Sequence, residues 1–306
     1  SAGTPGHTGL YSAPRITLHQ YWITSIDVWQ KGSICVQMRH LYRFLKKRTR
    51  GHRPSHIWLF RSGDDGLAPI IIYKYHPTRN GDAAADFFKN NPDGSYIMAD
   101  GYAGYNKFNR CCCYAHIRRY FIEAIPKGHE KDFTNPAVQG MLYCNKLFEY
   151  ERSYREKGLS YKQIYNRRQR DQKPVVEAFL SWINNAPTTK GTRFDRAITY
   201  AKNQSAYMVM YLEDSHCSIS NNMSENSIRP VTVGRKNWLF CDTTDGADAS
   251  MMVFSLLETA RANGINPYKY LEFLLESRPN EKMTDEQLDN LSPWNENVKQ
   301  ICKNNS

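Results

Sequence analysis

Short apolar runs joined by turn sequences predict strands in residues 57–99. Residues 57–60 and 69–75 are apolar, and the polar segment 62–66 between them contains two glycines. Runs of this length, rich in β-branched and aromatic residues, are typical of a β-hairpin. A helix through about Asn90, capped by the segment Asn-Gly-Asp at 80–82, and a third strand over residues 95–99 follow. This order of elements indicates an α/β domain with a mixed sheet.

Helical spacing of apolar residues begins near residue 116 and continues to about residue 213. Residues 150–173 interrupt the pattern with many charged and amide side chains, which predicts a pair of solvated helices. Residues 1–55 follow neither a strand nor a helix period, apart from 36–47, and we expect them to be poorly ordered. The later predicted helices run from Arg193 to about Leu212, from about Asp248 to Asn263 with Gly264 as the C-cap, and from Pro267 to about Glu276.

Charge is unevenly distributed along the chain. The 306 residues include 41 Lys and Arg against 30 Asp and Glu, a formal net charge of +11. Residues 1–56 hold nine of the basic residues and a single acid, Asp27, so most of the excess is local. A basic balance favours a polyanionic partner such as nucleic acid. No apolar run reaches the roughly 18 residues of a membrane span, and the eight cysteines lack the spacing of a secreted scaffold. We therefore expect a soluble protein of the reducing cytoplasm with no membrane partner.

Two acidic residues have sequence contexts that suit catalysis. Asp100 ends a predicted strand before Gly101, where open α/β sheets bind their ligands; alternatively, it only initiates a turn. Glu225 precedes Arg229 by four residues on a predicted helix, either as a surface ion pair or as part of a site. The basic, aromatic stretch 234–238 offers phosphate contacts and a stacking ring. Carboxylates from separated elements are typical of Mg²⁺ sites for phosphodiester chemistry.

Cysteine and histidine also suggest a metal, although less strongly. Cys113 and His116 have the spacing of one pair of zinc ligands. A structural zinc site needs a second pair, and the sequence offers no convincing one.

Five segments resemble, in order, motifs of the transposases of the insertion sequence 66 family. The segments occur in the same order as in the family, from about residue 56 to residue 294. Chance similarity does not explain such an order. The segments are ADGYAGYN at 99–106, similar to the second-acid motif; CYAHIRRYF at 113–121, similar to the cysteine, histidine and double-arginine block; 221–240, similar to the glutamate motif; TARANGINPY at 259–268; and LSPW at 291–294.

The resemblance implies a ribonuclease-H-like mixed sheet with a large helical insertion, about residues 122–213, between the second and third acids. It implies an Asp, Asp, Glu triad that binds two Mg²⁺ (or Mn²⁺) ions for the attack of water, and later of a 3′-hydroxyl, on DNA phosphates. By position, Asp100 is the second catalytic and metal-binding acid and Glu225 the third. The implied partners are insertion-sequence ends and target DNA, bound by a homo-oligomer; a need for accessory proteins stays open. Implied DNA-binding residues are Arg229, Arg235, Lys236, Asn237 and Trp238, while His116, Arg119 and Asn222 match the motifs without an assigned role.

The family's first acid, part of an Asp-Glu-Thr-Pro motif, is missing from residues 1–55. The nearest acid, Asp27, has none of the expected neighbours. Suitable codons for residues 37–50, read from the third base of the Gln37 codon, encode Asp-Glu-Thr-Pro-Ile-Gln-Val-Leu-Lys-Glu-Glu-Asp-Lys. Because Met38 has a single codon, the Asp is unavoidable if Gln37 is CAG. We therefore expect that residues before about His56 are out of frame relative to an ancestral transposase; the alternative is a divergent N-terminal extension.

Three regions follow from these patterns: a degenerate or out-of-frame segment (1–55), a transposase catalytic domain (56–276) and a C-terminal tail (277–306). We expect the chain to be N-terminally truncated, without the family's N-terminal DNA-binding segments, and inactive for want of the first Asp. Three alternatives stay open: another metal-dependent nuclease of the same fold, a non-catalytic DNA-binding remnant, and an α/β domain without a nucleic-acid partner.

Overall fold

A five-stranded sheet with the strand order β3-β2-β1-β4-β5 forms the centre of the fold. The structure is a computed structural model that describes residues 36–41, 56–63, 66–77, 82–88, 96–106, 108–238, 243–280 and 282–304, with 36–41 and 234–238 described as backbone only. The strands are β1 (Val36–Leu41), β2 (His56–Ser62), β3 (Ile71–His76), β4 (Tyr96–Ala99) and β5 (Asn109–Cys112).

Antiparallel and parallel pairs both occur in this sheet. β2 pairs antiparallel with β1 and with β3, whereas β4 pairs parallel with β1 and with β5. The mixed α/β class, the hairpin of β2 and β3, and the strand before Asp100 are confirmed. The sequence did not predict β5, whose four residues show no apolar alternation. The expectation of poor order is wrong for Val36–Leu41, because β2 and β4 supply hydrogen-bond partners on both sides; the remainder of residues 1–55 lies outside the described residues.

Helices follow the strands in the order that the apolar spacing predicts. Helices α2 to α6 confirm the helical block, although α6 ends at Met208 because a 3₁₀ turn, Met210–Leu212, follows it. The helices in the described ranges are α1 (Asp82–Phe87), α2 (Tyr114–Ala124), α3 (Pro136–Glu156), α4 (Tyr161–Arg167), α5 (Lys173–Asn185), α6 (Arg193–Met208), α7 (Asn222–Trp238), α8 (Thr244–Ala262), α9 (Pro267–Ser277), α10 (Asp285–Asp289) and α11 (Glu296–Ile301).

The β2–β3 hairpin is buried on both faces. Alternate residues of a strand point to opposite faces: Ile57 and Leu59 pack in a cluster with residues of α7 and α8, while Trp58 and Phe60 pack with Phe87 of α1. α8 is also fastened to β3 by hydrogen bonds, because hydroxyls of its inner face accept from main-chain amides of the strand. The sheet is therefore covered by helices on both sides.

The helical block packs against the sheet through one apolar cluster. Ile117 and Phe121 of α2, Leu147 of α3, Phe179 of α5 and Ile198 of α6 are at most 2% exposed. They share this cluster with the three consecutive cysteines at the end of β5. Burial of so much apolar surface fixes α2 against the sheet edge where β5 ends.

Residues 150–173, predicted as a solvated helix pair, are helical and mostly exposed or half-buried, but they also contain a buried arginine. α4 continues through a π-helical turn, Arg168–Gln172, into α5. The Arg168 side chain is 2% exposed and donates to both carboxylate oxygens of Glu151, at 2.8 and 2.9 Å. It also donates to the main-chain carbonyls of Tyr211, Asp214 and Cys217. Because each nitrogen of the guanidinium group donates hydrogen bonds, the positive charge of Arg168 is tolerated in the protein interior.

The end of α8 and both ends of α9 lie at or within one residue of the predicted positions, whereas α8 begins at Thr244, before the predicted start at about Asp248. Gly264, with φ of +77°, follows α8, and the Asn266 side chain accepts from the amides of Tyr268 and Lys269 to cap α9. Leu291 of the predicted tail motif packs against this C-terminal cluster. None of the helices within the described ranges is long and apolar enough to cross a lipid bilayer.

Candidate functional site

One edge of the sheet gathers the ends of two neighbouring parallel strands. Ala99 at the end of β4 pairs with Cys112 at the end of β5, so Asp100 and Cys113 leave the sheet side by side. Carboxyl ends of parallel strands are where α/β sheets place their ligands. This edge is therefore the candidate site.

Asp100 is held in a turn that the surrounding helices fix. Its Oδ1 accepts a hydrogen bond from the Tyr102 amide at 3.1 Å. Its main-chain carbonyl accepts from the buried Arg110, which also donates to Gln204 Oε1 of α6 at 2.7 Å. A Cβ added at Gly101 would lie 2.9 Å from Gln204 Nε2 and 3.1 Å from the Tyr200 side chain, so a larger residue would require these side chains to shift. The turn at Asp100, which the sequence predicts to be functional, is therefore held by Arg110 and, through it, by Gln204 of α6.

Glu225 lies in the first turn of α7 and is contacted by two side chains of α2, His116 and Arg119. His116 Nε2 is 3.3 Å from Glu225 Oε1, and Arg119 Nη2 is 3.5 Å from Oε2. The Glu225 side chain is 20% exposed, against 17% for His116 and 50% for Arg119. The cysteine, histidine and double-arginine block therefore serves, at least in part, to contact the carboxylate of Glu225.

A buried link joins the start of α2 to the start of α7. Cys113 Sγ donates to Asn221 Oδ1 at 3.0 Å, and the Asn221 amide points back at the same sulfur at 3.4 Å. Burial raises the pKa of the Cys113 thiol to about 11, so the thiol is protonated near neutral pH and can donate. The Tyr114 amide donates to the Ile219 carbonyl at 3.0 Å. Because both helices start at this link, His116 and Glu225 face each other.

The other predicted site residues lie on or beside α7. Asn222 and Arg229 are exposed. The alternative of a surface ion pair between Glu225 and Arg229 is not what the structure has, since His116 and Arg119 approach the carboxylate from the neighbouring helix. The stretch from Gly234 to Trp238 continues α7, but its side chains lie outside the described residues. Its DNA-binding residues, Arg235, Lys236, Asn237 and Trp238, therefore stay a prediction.

Sequence reasoning missed the two residues that brace the acids. Arg110 supports the Asp100 turn, and Asn221 receives the Cys113 thiol. Both are almost fully buried polar side chains. Asn221 is the first residue of the segment that resembles the glutamate motif, but a single sequence carries no signal that pairs it with a residue 108 positions earlier.

Two family descriptions match most of the chain. Residues 41–249 match the family described as Transposase IS66 family, and residues 255–294 match the IS66 C-terminal element. The chain belongs to the IS66 transposase family. Both acids of the candidate site, Asp100 and Glu225, lie inside the first of the two matches. No solved structure matches this IS66-family chain significantly.

Curated relatives of this family member come from Sinorhizobium fredii (strain NBRC 101917 / NGR234). The uncharacterized protein y4hP is 28% identical over 60% of this chain and 34% of its own length. The uncharacterized protein y4qI is 24% identical over 74% of the chain and 43% of its own length. A third, y4jD, is 26% identical over 67% of the chain and 42% of its own length. The chain thus spans between a third and a half of the length of these relatives.

The carboxylates of this IS66-family site form an incomplete donor set for two metal ions. Among the side chains that the structure describes, no group of three or more His, Cys, Asp or Glu is arranged around a common point. Mg²⁺ is commonly bound by one or two carboxylates together with substrate phosphates. Asp100 and Glu225 suit that role, whereas a two-metal centre calls for a further carboxylate.

Proposed function

We propose that the chain is the catalytic domain of a DNA transposase in which one of three catalytic acids is missing. The observation that carries the proposal is that the Cys113–Asn221 hydrogen bond joins the sheet edge beside Asp100 to the start of α7, which carries Glu225. The strand order β3-β2-β1-β4-β5, with β1 parallel to β4, supports a ribonuclease-H-like sheet. Helices α3 to α6 then correspond to the helical insertion, about residues 122–213, between the second and third acids.

The register of β1 supports the location of the missing acid. Met38 pairs with Ala99, the residue before Asp100. In the shifted reading, the Asp of the Asp-Glu-Thr-Pro motif takes its bases from the Gln37 and Met38 codons. The lost carboxylate would therefore belong on the central strand, directly beside the strand that ends at Asp100. The sequence of β1, VQMRHL, contains no acid.

Each side chain of the site has a role in this proposal. Asp100 and Glu225 would hold Mg²⁺ together with a DNA phosphate, and the bound ion would supply Lewis-acid stabilisation of the attacking and leaving oxygens. His116 and Arg119 fix the orientation of the Glu225 carboxylate. Exposed Arg229, with the basic residues that follow on α7, would contact the DNA backbone.

Activity should depend on the missing carboxylate, because two acids hold less charge around the ions than three and fix their positions less well. We expect the chain as it stands to bind DNA without cutting it. The acid-free strand β1 therefore favours, as the second candidate function, a non-catalytic DNA-binding protein. Its DNA affinity should survive both removal of Mg²⁺ and the substitution Glu225→Ala.

Restoring the motif tests the catalytic proposal. In one variant, residues 37–50 are replaced by the 13-residue shifted reading; its matched control carries Asn in place of the restored Asp. With Mg²⁺ and DNA carrying insertion-sequence ends, the restored chain should cut the ends and join them to target DNA. The control and the restored chain with Asp100→Asn should do neither.

Three results would contradict parts of this proposal. Cutting without joining would indicate another nuclease of the same fold. A restored chain that is folded and binds DNA, yet is inert with Mg²⁺ and Mn²⁺, would refute the catalytic role. Codons in the encoding DNA that are incompatible with the shifted reading at residues 37–44 would refute the frameshift.

A further inference from the structure

A large cleft runs from the candidate site into the helical block. It encloses about 1240 Å³ between α2, the second half of α3, α4 and the loop 215–220. Its inner end is formed by Asn222 and Met223 in the first turn of α7. We call it the α3 cleft. Arg119 lines this cleft and also contacts Glu225, so the cleft adjoins the candidate catalytic acid.

Cations dominate the walls of the α3 cleft. Arg118 and Arg119 extend from α2, and Arg152 and Arg155 extend from α3. The two α3 arginines are three residues apart, which places them on one face of the helix. Both are exposed, and neither has an acidic partner within the described part of the chain. Their charge is therefore available to a ligand.

The acids of the α3 cleft are already neutralised. Glu151 is held by buried Arg168 through two hydrogen bonds of 2.8 and 2.9 Å. Glu149 lies 3.8 Å from Lys146. Because these carboxylates have their own cations, the net potential of the cleft is positive, as an anionic chain requires.

Aromatic side chains lie between the charges. Phe148 and Tyr161 are half-buried and line the cleft. The Tyr161 ring lies 4.0 Å from the ring of His216, which also lines the cleft. Unpaired bases stack on such rings, whereas the bases of a duplex are stacked on one another and enclosed by two backbones. Alternating cations and rings are typical of grooves that bind single-stranded nucleic acid.

The geometry points to the α3 cleft as a binding site for one unpaired DNA strand that leads to or from the phosphate at Asp100 and Glu225. The inference rests on the proposed function, since it takes DNA as the substrate. Arg152 and Arg155 bind the strand's phosphates, and Phe148 and Tyr161 stack on its bases. The IS66 family match assigns no residue of α3 or α4 to DNA.

Charge reversal tests the site. Arg152→Glu with Arg155→Glu is compared with a matched control, Lys173→Glu with Lys202→Glu, which makes the same charge change at exposed helical positions outside the cleft. Fluorescence anisotropy with a labelled single-stranded oligonucleotide should give a Kd raised about tenfold or more for the cleft variant alone. Loss of two phosphate contacts should lower the slope of log K against log salt by about 1.4. The affinity of the cleft variant for a blunt-ended DNA duplex should change no more than that of the control variant.

Photo-crosslinking locates the strand in the unchanged chain and does not depend on whether the variants fold. A single-stranded oligonucleotide carrying 5-iodouracil should crosslink to Tyr161 or Phe148, as mapped by mass spectrometry of the peptides. Crosslinks confined to other segments would overturn the inference. So would equal losses in the cleft variant and its control, or a loss for duplex without one for the single strand.

Different results would refute the inference about the cleft and the proposed function. If the unchanged chain binds duplex DNA in a salt-dependent way but its single-strand affinity is insensitive to the cleft variant, the cleft inference falls and the proposed function stands. If the unchanged chain binds neither form of DNA, both fall.

Discussion

Replacing Arg168 with Met should destabilise the fold far more than replacing its neighbour Arg170. The Arg168→Met change leaves the carboxylate of Glu151, which is 15% exposed, without its bidentate partner. It also removes the donor from three main-chain carbonyls. Breaking a buried ion pair by removing one partner costs about 3–5 kcal/mol. A loss near the upper end is expected, because the unpaired carbonyls add to it.

Arg170→Met is the matched control. Arg170 lies two residues further along the same π-helical turn and pairs with Asp171, but its side chain is 63% exposed. Water already screens that pair, so the unfolding midpoint should stay unchanged within error. Urea unfolding followed by circular dichroism measures both variants, and the slope of free energy against urea concentration verifies that the transition is comparable.

A double variant separates loss of the pair from loss of packing. Arg168→Met combined with Glu151→Leu removes both charges, so it should be less destabilising than Arg168→Met alone. A cost below about 1 kcal/mol for Arg168→Met would refute the inference of a buried, fully paired guanidinium. A double variant equal to the sum of the two single variants would refute the coupling.

Three further predictions concern packing, protonation and the acid of α7. Gly140→Ala should lower the free energy of unfolding by about 1–3 kcal/mol, measured by urea unfolding, because its Cβ would lie 2.5 Å from the Phe121 ring. Burial raises the pKa of Cys113 from about 9 to about 11, so the stability it contributes is complete below pH 9 and is lost as the pH rises toward 11. Because of this thiol, the free energy of unfolding measured in urea should fall by about 2 kcal/mol between about pH 8 and about pH 10.5. The Cys113→Ala variant should lack that part of the fall. In the chain with the restored first acid, His116→Ala should weaken Mn²⁺ binding about tenfold in electron paramagnetic resonance titrations, since Glu225 loses an orienting contact. His116→Gln, which keeps a donor, should recover much of the affinity; equal binding by all three proteins would contradict the positioning role.

Local signals explain what the sequence could predict. The β2–β3 hairpin follows from two apolar runs and a glycine-containing turn, and the α8–α9 junction follows from Gly264 and Asn266. Asp100 was identified because its strand and its turn are adjacent in sequence. In each case the determining residues lie within a few positions of one another, so propensity and capping are sufficient.

Long-range contacts explain what the sequence could not predict. The pattern in residues 36–47 does not decide between strand and helix, and the strand conformation of β1 depends on hydrogen bonds to β2 and β4. Arg168 belongs to a run of charged residues, and its burial depends on Glu151 and on carbonyls more than 40 positions later. Helical spacing correctly placed Glu225 and Arg229 on one helix, but the side chains that contact Glu225, His116 and Arg119, come from α2. Partners of this kind are set by tertiary packing.

The link between Cys113 and Asn221 also bears on the order in which the molecule folds. It closes a loop of 108 residues, and closing so long a loop is entropically costly until the helices between have collapsed. The hairpin, by contrast, closes over a short turn. We therefore expect the acids to meet late in folding, after the helical block is compact. In pulsed hydrogen exchange, protection of the Glu225 amide, which donates to the Asn221 carbonyl, should lag behind that of the β2–β3 amides. The candidate catalytic edge would then exist only in molecules that have completed the rest of the fold.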